Sequence, residues 1–306
     1  MRIAVIGQSA FGQKVLEAIV KGGKDEVVGV FCPPDAEGRD PDPIKTAAQG
    51  LGVDVLQFKR MRNQDAIDAF KSLKSELCVM AYVTDIVPMD MINYPSKGTV
   101  QYHPSLLPRH RGPSSINWPI IWGERETGLT IFWPDDGLDT GPVLLQKRVE
   151  IGPDDTLGSL YFNSLFPMGV DAIVESVELV REGTAPKVAQ DESAATYEGW
   201  CKAEQGEIDW SKPAQEVYNL IRGCNPQPGA WTTRGGEKVA IFESALIRAG
   251  MGGEPGAVIA VSESGFIVAA GDGAIGVQRV RPPKSGKVSA AEYATAAELK
   301  AGEKLG

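Results

Sequence analysis

The first half of the chain alternates short apolar runs with segments of helical spacing, and this alternation limits the folds open to it. The apolar runs are residues 3–6, 27–31, 53–56 and 77–82, and the helical segments between them are residues 11–20, 43–50 and 65–73. Strands separated by helices need crossover connections, which give a parallel sheet covered by helices on both faces. We therefore predict an α/β domain with a Rossmann-like, mostly parallel sheet, in which ligands bind beyond the carboxyl ends of the strands.

The rest of the chain predicts further elements of this domain and then a second, all-β domain. The expected elements are a strand at 99–102, helices at 115–122, 156–182 and 212–222, a β-pair at 129–133 and 143–149, and a polar linker at 183–193. From residue 230 onward, short apolar segments alternate with Gly and Pro turns, which is typical of a small β-barrel or sandwich. The expected division is a first domain at 1–200 and a second at 201–306.

Both histidines of this 306-residue chain lie in one short run, at positions 101–112. Histidine titrates near neutral pH without a special environment, so this run is a candidate reactive centre. The alternative is that either histidine is an ordinary loop residue. The surrounding sequence favours a reactive role for His103 and adds little for His110. Arg109 and Arg111 form either a solvated loop or a contact for a carboxylate or phosphate of a ligand.

The loop at residues 135–141 is a second candidate, because glycines on both sides of Leu138-Asp139-Thr140 predict turns that fix an aspartate. Loops rich in Asp and Gly are more often plain hairpin connections. Here the loop lies between two apolar strands, so its tip can face the same sheet edge as His103. A carboxylate beside an imidazole can run acyl-group chemistry without a metal. One member stabilises the oxyanion or donates a proton, and the other accepts a proton from the nucleophile.

Other kinds of site are disfavoured. The formal net charge of −9 gives no general attraction for nucleic acid. No apolar stretch approaches the roughly 20 residues of a membrane span, and four dispersed cysteines suggest reduced thiols in a cytoplasmic protein. No metal site is expected, because His110 lies between two arginines. The turn at 7–12 lacks the GxGxxG spacing of dinucleotide sites, and no GxSxG elbow supports a serine triad.

Taken together, these segments resemble the folate-dependent formyltransferase family. The family's Asn-x-His-x-Ser-Leu-Leu-Pro signature is similar to residues 101–108, and its Gly-Leu-Asp-Thr-Gly motif matches residues 137–141. The likeness extends over nearly the whole chain, and residues 225–231 resemble the opening of the family's C-terminal domain, an OB-like barrel. The resemblance is greatest to the N-terminal hydrolase domain of 10-formyltetrahydrofolate dehydrogenases and extends to methionyl-tRNA formyltransferases.

The resemblance implies a one-carbon enzyme that binds 10-formyltetrahydrofolate or tetrahydrofolate and needs no metal. It implies catalytic roles for His103 and Asp139, with Gln101 as a secondary donor. It also implies that the pterin lies against the backbone of residues 82–87. The residues implied to bind the folate are Tyr82, Asp85, Ile86, Val87, Ser105, Leu106, Leu107, Pro108, Asp136 and Gly137.

Two departures from the family pattern bear on the formyl acceptor. Gln101 replaces the usual asparagine and shifts one oxyanion donor, a type of group whose loss costs roughly a hundredfold in rate. The loop at 33–43 is acidic on balance. In the tRNA formyltransferases that the chain resembles, the corresponding loop is longer and basic, which suits the binding of nucleic-acid phosphates. Hydrolysis to tetrahydrofolate and formate is therefore expected, with methionyl-tRNA formylation as the alternative. Transfer to an amino sugar, folate binding without turnover, and a separate dehydrogenase partner stay open.

Overall fold

In the computed structural model, which describes residues 1–247 and 253–306, the chain forms thirteen β-strands and nine α-helices. The strands are β1 (Arg2–Gly7), β2 (Glu26–Cys32), β3 (Val55–Gln57), β4 (Leu77–Ala81), β5 (Thr99–His103), β6 (Glu126–Phe132), β7 (Val143–Glu150), β8 (Ala230–Arg234), β9 (Glu237–Ile247), β10 (Val258–Ser262), β11 (Gly265–Ala269), β12 (Ala274–Arg281) and β13 (Val288–Ser289). The helices are α1 (Ser9–Gly22), α2 (Pro43–Gly50), α3 (Gln64–Ser72), α4 (Met89–Ile92), α5 (Asn117–Ile121), α6 (Leu157–Leu160), α7 (Phe166–Glu182), α8 (Ala214–Gly223) and α9 (Ala290–Ala296).

These elements fall into two units. The first comprises Met1–Arg111, Gly128–Val149 and Asn163–Tyr197, and the second comprises Gly112–Thr127, Glu150–Phe162 and Glu198–Gly306. Two segments that precede residue 200 in the chain therefore lie in the second unit. The division of the protein into domains at residue 200 stays a prediction.

The first unit contains a seven-stranded sheet with the order β3-β2-β1-β4-β5-β6-β7. The neighbours from β3 through β5 pair in parallel, whereas β6 runs antiparallel to β5. This confirms the predicted Rossmann-like, mostly parallel sheet. The strand order reverses direction between β1 and β4, and ligands of such sheets bind in the crevice beyond the carboxyl ends of the strands at that point.

The central strand β1 is buried on both faces, as its uninterrupted apolar sequence predicts. Ile3 and Val5 belong to a core cluster shared with α1, whereas Ala4 and Ile6 belong to a second cluster that includes Phe70 of α3. Successive side chains of a strand point to opposite faces, so helices must cover both sides of this sheet. The sheet is thus held rigidly, and the loops at its carboxyl edge start from fixed positions.

The expected helix at 156–182 is present as an unbroken helical stretch over residues 157–182, but its geometry changes along the way. The structure has α6, then a π-helical turn at Tyr161–Leu165, and then α7. Pro167 lies in the first turn of α7, where a missing N–H costs no internal hydrogen bond. Within a regular α-helix the same proline would leave a carbonyl of the preceding turn without its N–H partner. The change of geometry before α7 is explained by this missing hydrogen bond.

The expected polar linker at 183–193 is an irregular connection, and part of it is bound to the first unit. Val188 forms an antiparallel bridge with Val143 at the start of β7, with N–H···O distances of 2.8 and 2.9 Å in the two directions. The segment is therefore bound to the edge of the sheet by backbone groups. Composition could not predict this bridge, because every residue other than proline has the backbone groups that form it.

The second unit contains a separate antiparallel sheet with the order β10-β11-β12-β9-β8, and β13 pairs with β12. Its core includes Trp210, Ile221 of α8 and Val268 of β11. This agrees with the strands expected from residue 230 onward, while α9 is a helix that the sequence did not predict. Every helix within residues 1–247 and 253–306 is too short or too polar to cross a bilayer.

Candidate active site

His103 ends β5 at the carboxyl edge of the sheet, and its side chain is only 7% exposed. Its Nε2 lies 2.8 Å from the backbone oxygen of His110. A carbonyl oxygen only accepts hydrogen bonds, so Nε2 carries a proton and donates it. This bond fixes the orientation of the ring and leaves Nδ1 as the nitrogen that faces the second candidate loop. His110 thus contributes its carbonyl to the arrangement.

Asp139 reaches His103 from the loop between β6 and β7. Its Oδ2 lies 3.5 Å from Nδ1 of His103, and its side chain is 8% exposed. Because Nε2 already holds a proton, an unprotonated Nδ1 and an ionised carboxylate would face each other as two acceptors. A hydrogen bond between these two atoms therefore requires a proton on one of them. The structure brings the two side chains together as expected, and their catalytic roles stay predictions.

Gln101 lies on β5 two residues before His103. Side chains two residues apart on a strand point to the same face, so Gln101 and His103 share one face of the sheet. Gln101 is half-buried at this position. An amide there is suitably placed to assist the imidazole, and its role as a secondary donor stays a prediction.

The glycines of the 137–141 motif are required by the geometry of the loop. A Cβ on Gly137 would lie 2.0 Å from Oγ1 of Thr140, and a Cβ on Gly141 would lie 1.8 Å from the backbone oxygen of Trp133. Asp135 accepts hydrogen bonds from the N–H of Gly137 and the hydroxyl of Thr140, at 3.1 and 2.6 Å. The tight turn thus made carries Asp139 with φ at 58°, a conformation imposed by its surroundings.

The surroundings of Arg111 contradict both interpretations of the basic run at 109–111, the solvated loop and the contact for a ligand. Its side chain is 1% exposed, and its guanidinium donates to Gln190 and Glu192 within the first unit. It is therefore neither solvated nor directed at a ligand. The hydrogen bond to Glu192 is the main reason that the pKa of Arg111 is raised and that of Glu192 is lowered. Arg109 is exposed.

Gln190 is a residue that the sequence did not identify. Its amide donates to the backbone oxygens of Asp139 and Gly141, at 2.9 and 2.7 Å. Its own oxygen accepts from Nε and Nη2 of Arg111, at 3.1 and 2.8 Å. Two of these four partner atoms lie in a loop distant in sequence and the other two in a buried side chain, so no motif could have pointed to this position.

The loop predicted to hold the pterin lies at the switch point of the sheet. With residues from the loops after β1, β2 and β3, Tyr82 and Asp85 line a cleft of about 200 Å³. Tyr82 has φ at 62° and is 49% exposed, Ile86 is 78% exposed, and Val87 is buried. These positions give the loop an accessible surface at the expected edge, and their contacts with a folate stay predictions.

Asp85 binds to a neighbouring loop through its side chain. The carboxylate accepts from the N–H of Met61 at 2.8 Å and from Nη1 of Arg60 at 3.0 Å. Burial disfavours the charged form, but these hydrogen bonds together outweigh it and lower the pKa of Asp85. The side chain of Asp85 therefore joins the loops that follow β3 and β4.

The remaining predicted folate contacts differ in accessibility. Ser105 is fully buried and its hydroxyl donates to the backbone oxygen of Arg109 at 2.7 Å. Leu107 is buried, and Asp136 and Gly137 are exposed. Ser105 and Leu107 are thus buried in the loop after His103. Asp136 and Gly137 are accessible in the separate loop at residues 135–141. Leu106 and Pro108 are half-buried.

The turn after β1 is stabilised from within the protein. Oδ1 of Asp42 accepts from the N–H of Ser9 at the start of α1, at 2.8 Å, and from the N–H of Ile44 at the start of α2, at 3.0 Å. A carboxylate therefore already occupies the position at which a helix N-terminus would bind a phosphate. This agrees with the interpretation of residues 7–12 as a structural turn.

Two further features of the structure bear on the site. Within residues 1–247 and 253–306, no three His, Cys, Asp or Glu side chains lie close enough to hold a metal ion. A larger cleft of about 1370 Å³ lies in the second unit, between residues that include Glu124, Asp154, Tyr218 and Glu243. It contains none of the predicted site residues.

Comparison with known protein families gives two matches along the chain. The formyl transferase family matches residues 1–176, and the formyl transferase C-terminal domain family matches residues 201–298. The first match alone covers more than half of the chain, and the second covers most of the remainder.

Named relatives fall into two groups. The mitochondrial 10-formyltetrahydrofolate dehydrogenase of Mus musculus is 41% identical over 97% of this chain and 34% of its own length. The chain thus spans about a third of that relative. The methionyl-tRNA formyltransferase of Moorella thermoacetica is 35% identical over 100% of this chain and 99% of its own length.

Solved structures show the same fold at lower identity. A crystal structure of HypX from Aquifex aeolicus in complex with tetrahydrofolic acid is 20% identical, with a TM-score of 0.72 over 99% of this chain and 48% of that chain. WlaRD, a sugar 3N-formyl transferase, is 19% identical with a TM-score of 0.69 over 94% of this chain and 99% of that chain.

Proposed function

Since this chain belongs to the formyl transferase family, we propose that it is a cytoplasmic one-carbon enzyme that hydrolyses 10-formyltetrahydrofolate to tetrahydrofolate and formate. The observation that carries the proposal is the buried pair of His103 and Asp139, with 3.5 Å between Nδ1 and Oδ2. The likeness to a 10-formyltetrahydrofolate dehydrogenase over 97% of this chain supports it.

The substrate binds with its pterin against the backbone of residues 82–87. A flat heteroaromatic ring with several donors and acceptors suits a cleft that combines apolar walls with exposed backbone groups. The cleft at the switch point offers both, because Phe31, Phe58 and Met61 line it together with Tyr82 and its neighbours. The formyl group then points along the sheet edge toward His103.

Hydrolysis needs an acid and a base at the formyl carbon. Water attacks this carbon, the C=O double bond opens, and negative charge collects on the oxygen. In this step His103 is protonated at both ring nitrogens, so that it donates to the oxyanion from Nδ1 while Nε2 stays bonded to the backbone oxygen of His110. Asp139 accepts the proton of the attacking water and orients the imidazole.

Collapse of the tetrahedral intermediate completes the reaction. The C–N10 bond breaks, N10 takes up the proton that Asp139 accepted from the water, and formate leaves together with tetrahydrofolate. In sum one water is consumed, one C–N bond is broken, and one proton is released to solvent with the formate ion. No oxidant, reductant or metal is needed for this balance.

Gln101 acts as the second donor to the oxyanion. Its amide lies on the same face of β5 as His103 but carries one methylene more than the family's asparagine. The donor is therefore displaced relative to that of an asparagine. We take this departure as support for hydrolysis over efficient transfer to an amine.

Methionyl-tRNA formylation is the second candidate. It is favoured by the 35% identity to a methionyl-tRNA formyltransferase over 99% of that protein's length. The acidic balance of residues 33–43 argues against it, and so does Asp42, whose carboxylate occupies the N-terminus of α1. Binding of a nucleic acid depends mainly on neutralising its phosphates.

Incubation of the protein with 10-formyltetrahydrofolate alone separates these candidates. We expect formate and tetrahydrofolate to form in equal amounts without any added acceptor, as measured by mass spectrometry. Methionyl-tRNA is then added to the same mixture, and neither the rate nor the products should change. Strict dependence of turnover on the tRNA would overturn the hydrolase proposal, and saturable binding without turnover would do the same.

A further inference from the structure

The segment that follows α7 touches both loops of the candidate active site. Gln190 donates to the backbone oxygens of Asp139 and Gly141, at 2.9 and 2.7 Å, and accepts from two nitrogens of Arg111, at 3.1 and 2.8 Å. A carboxamide has two N–H groups and one oxygen with two lone pairs. The hydrogen-bonding capacity of Gln190 is therefore fully used in joining the loop of Asp139 to Arg111.

Arg111 carries this connection to His103. Its neighbour His110 supplies the carbonyl that accepts from Nε2 of His103, at 2.8 Å. The N–H groups of His110 and Arg111 donate to Oγ1 and the backbone oxygen of Thr196, at 2.8 and 3.0 Å. The carbonyl that orients the imidazole is thus held by the same segment, six residues after Gln190.

The separation between the imidazole and the carboxylate is sensitive to small movements. At 3.5 Å, Nδ1 and Oδ2 lie just beyond ordinary hydrogen-bond length. A shift of either loop by a few tenths of an ångström would therefore make or lose the contact. Misplacement of a reacting group by about 1 Å can cost about a hundredfold in rate.

We propose that Gln190 is a positioning residue that sets the distance between His103 and Asp139. It holds Asp139 by the backbone on one side and, through Arg111, the carbonyl partner of His103 on the other. The consequence for turnover rests on the proposed function, whereas the consequence for geometry does not.

Two substitutions separate the two ends of this connection. Gln190→Glu keeps an acceptor for Arg111, but it has no N–H for the carbonyls of Asp139 and Gly141, which a carboxylate would repel. Gln190→Met is of similar length and loses both ends. Gln49→Glu is the matched control, because Gln49 is exposed on α2 and undergoes the same change of charge.

The first measurement is steady-state hydrolysis of 10-formyltetrahydrofolate. We expect both Gln190 variants to lower kcat by about 10- to 100-fold while KM changes by less than about twofold, since the pterin loop is not touched. Gln49→Glu should match the wild type. Equal changes in kcat and KM, or wild-type kcat in Gln190→Glu, would overturn the proposal.

The second measurement reads the geometry without any turnover. The chain has two histidines, so nitrogen-15 spectra of the imidazoles contain only two rings, which His110→Gln assigns. At fixed pH, Gln190→Glu should shift the Nδ1 resonance of His103, and Gln49→Glu should not. Should the protein fail to hydrolyse folate, this shift would still support the positioning role. An unchanged resonance would refute it.

Discussion

At the β5–β6 side of the sheet's carboxyl edge, His103 and Asp139 are buried, and backbone hydrogen bonds hold the loops that carry them. At the β1–β4 side, Tyr82 is 49% exposed and Ile86 is 78% exposed. Fixed dipoles and charges act more strongly where water is excluded, and they need no reorganisation during the reaction. Recognition of a planar ring instead needs a surface that the ring can reach. The proposed function therefore places chemistry at the first side and binding of the ring at the second.

The two sides should differ in the kinetic constants that their substitutions change. Substitutions on the buried side should lower kcat, because they remove interactions that matter in the transition state. Substitutions on the exposed side should raise KM and leave kcat nearly unchanged. A substitution that behaves in the opposite way would break the division between the two sides.

The largest effect is expected for Asp139→Asn. The amide keeps the size of the side chain but accepts no proton and no longer balances a charged imidazole, so kcat should fall by about 10²- to 10⁴-fold. KM for 10-formyltetrahydrofolate should stay within about threefold. The measurement is formate release under saturating substrate.

Asp171→Asn is the control for this substitution. Asp171 is exposed on α7 and undergoes the same chemical change. Its kinetics should equal those of the wild type. Turnover of Asp139→Asn within about threefold of the wild type would remove Asp139 from the mechanism and leave the buried side without a base.

Much of the buried side could be predicted because its geometry requires particular residue types at particular positions. Gly137 and Gly141 occupy positions where any Cβ would collide with Thr140 or Trp133. The glycines of the motif therefore predict the turn that carries Asp139. The apolar strands likewise record a sheet buried on both faces, which brings the ends of β5 and β6 together.

The contribution of residues 183–197 could not be predicted. Gln190 binds two backbone oxygens and one arginine, and backbone oxygens occur at every position of a chain. Arg111 lies between residues that suggest exposure, yet its burial depends on Glu192, which is distant in sequence. Such contacts follow only from the three-dimensional arrangement, so composition marked this segment as a linker.

A smaller effect is expected on the binding side, for Asp85→Asn. The substitution removes the charge that pairs with Arg60 and weakens the bond from the Met61 N–H, which together join two loops of the cleft. We expect KM for 10-formyltetrahydrofolate to rise by about three- to tenfold, which corresponds to roughly the net contribution of one ordinary hydrogen bond. The value of kcat should stay within about twofold.

Asp90→Asn is the matched control on this side. Asp90 follows the pterin loop, lies in α4 and pairs at the surface with Lys71. Exposed pairs contribute little, so its kinetics should resemble those of the wild type. A fall in kcat of Asp85→Asn comparable to that of Asp139→Asn would show that the two sides do not act separately.

The smallest effect concerns stability in acid. The pKa of Asp85 is lowered in the folded protein, below an unfolded value of about 3.9. Its stabilising contribution is therefore complete above about pH 4 and is lost as the pH falls through the folded-state pKa. Because the side chain is 28% exposed and its partner Arg60 is 59% exposed, solvent screening limits the contribution to about 1 kcal/mol or less.

Urea unfolding of the wild type and of Asp85→Asn at several pH values measures this contribution. The wild type should have the larger free energy of unfolding at pH 5 to 7, and the difference should shrink toward zero as the pH falls below about 4. A difference that persists or grows in stronger acid would mean that the charge of Asp85 is not what joins the loops. The exposed side would then be held by uncharged contacts, as the loops of His103 and Asp139 are held by hydrogen bonds to their backbone, and the contrast between the two sides would be one of accessibility alone.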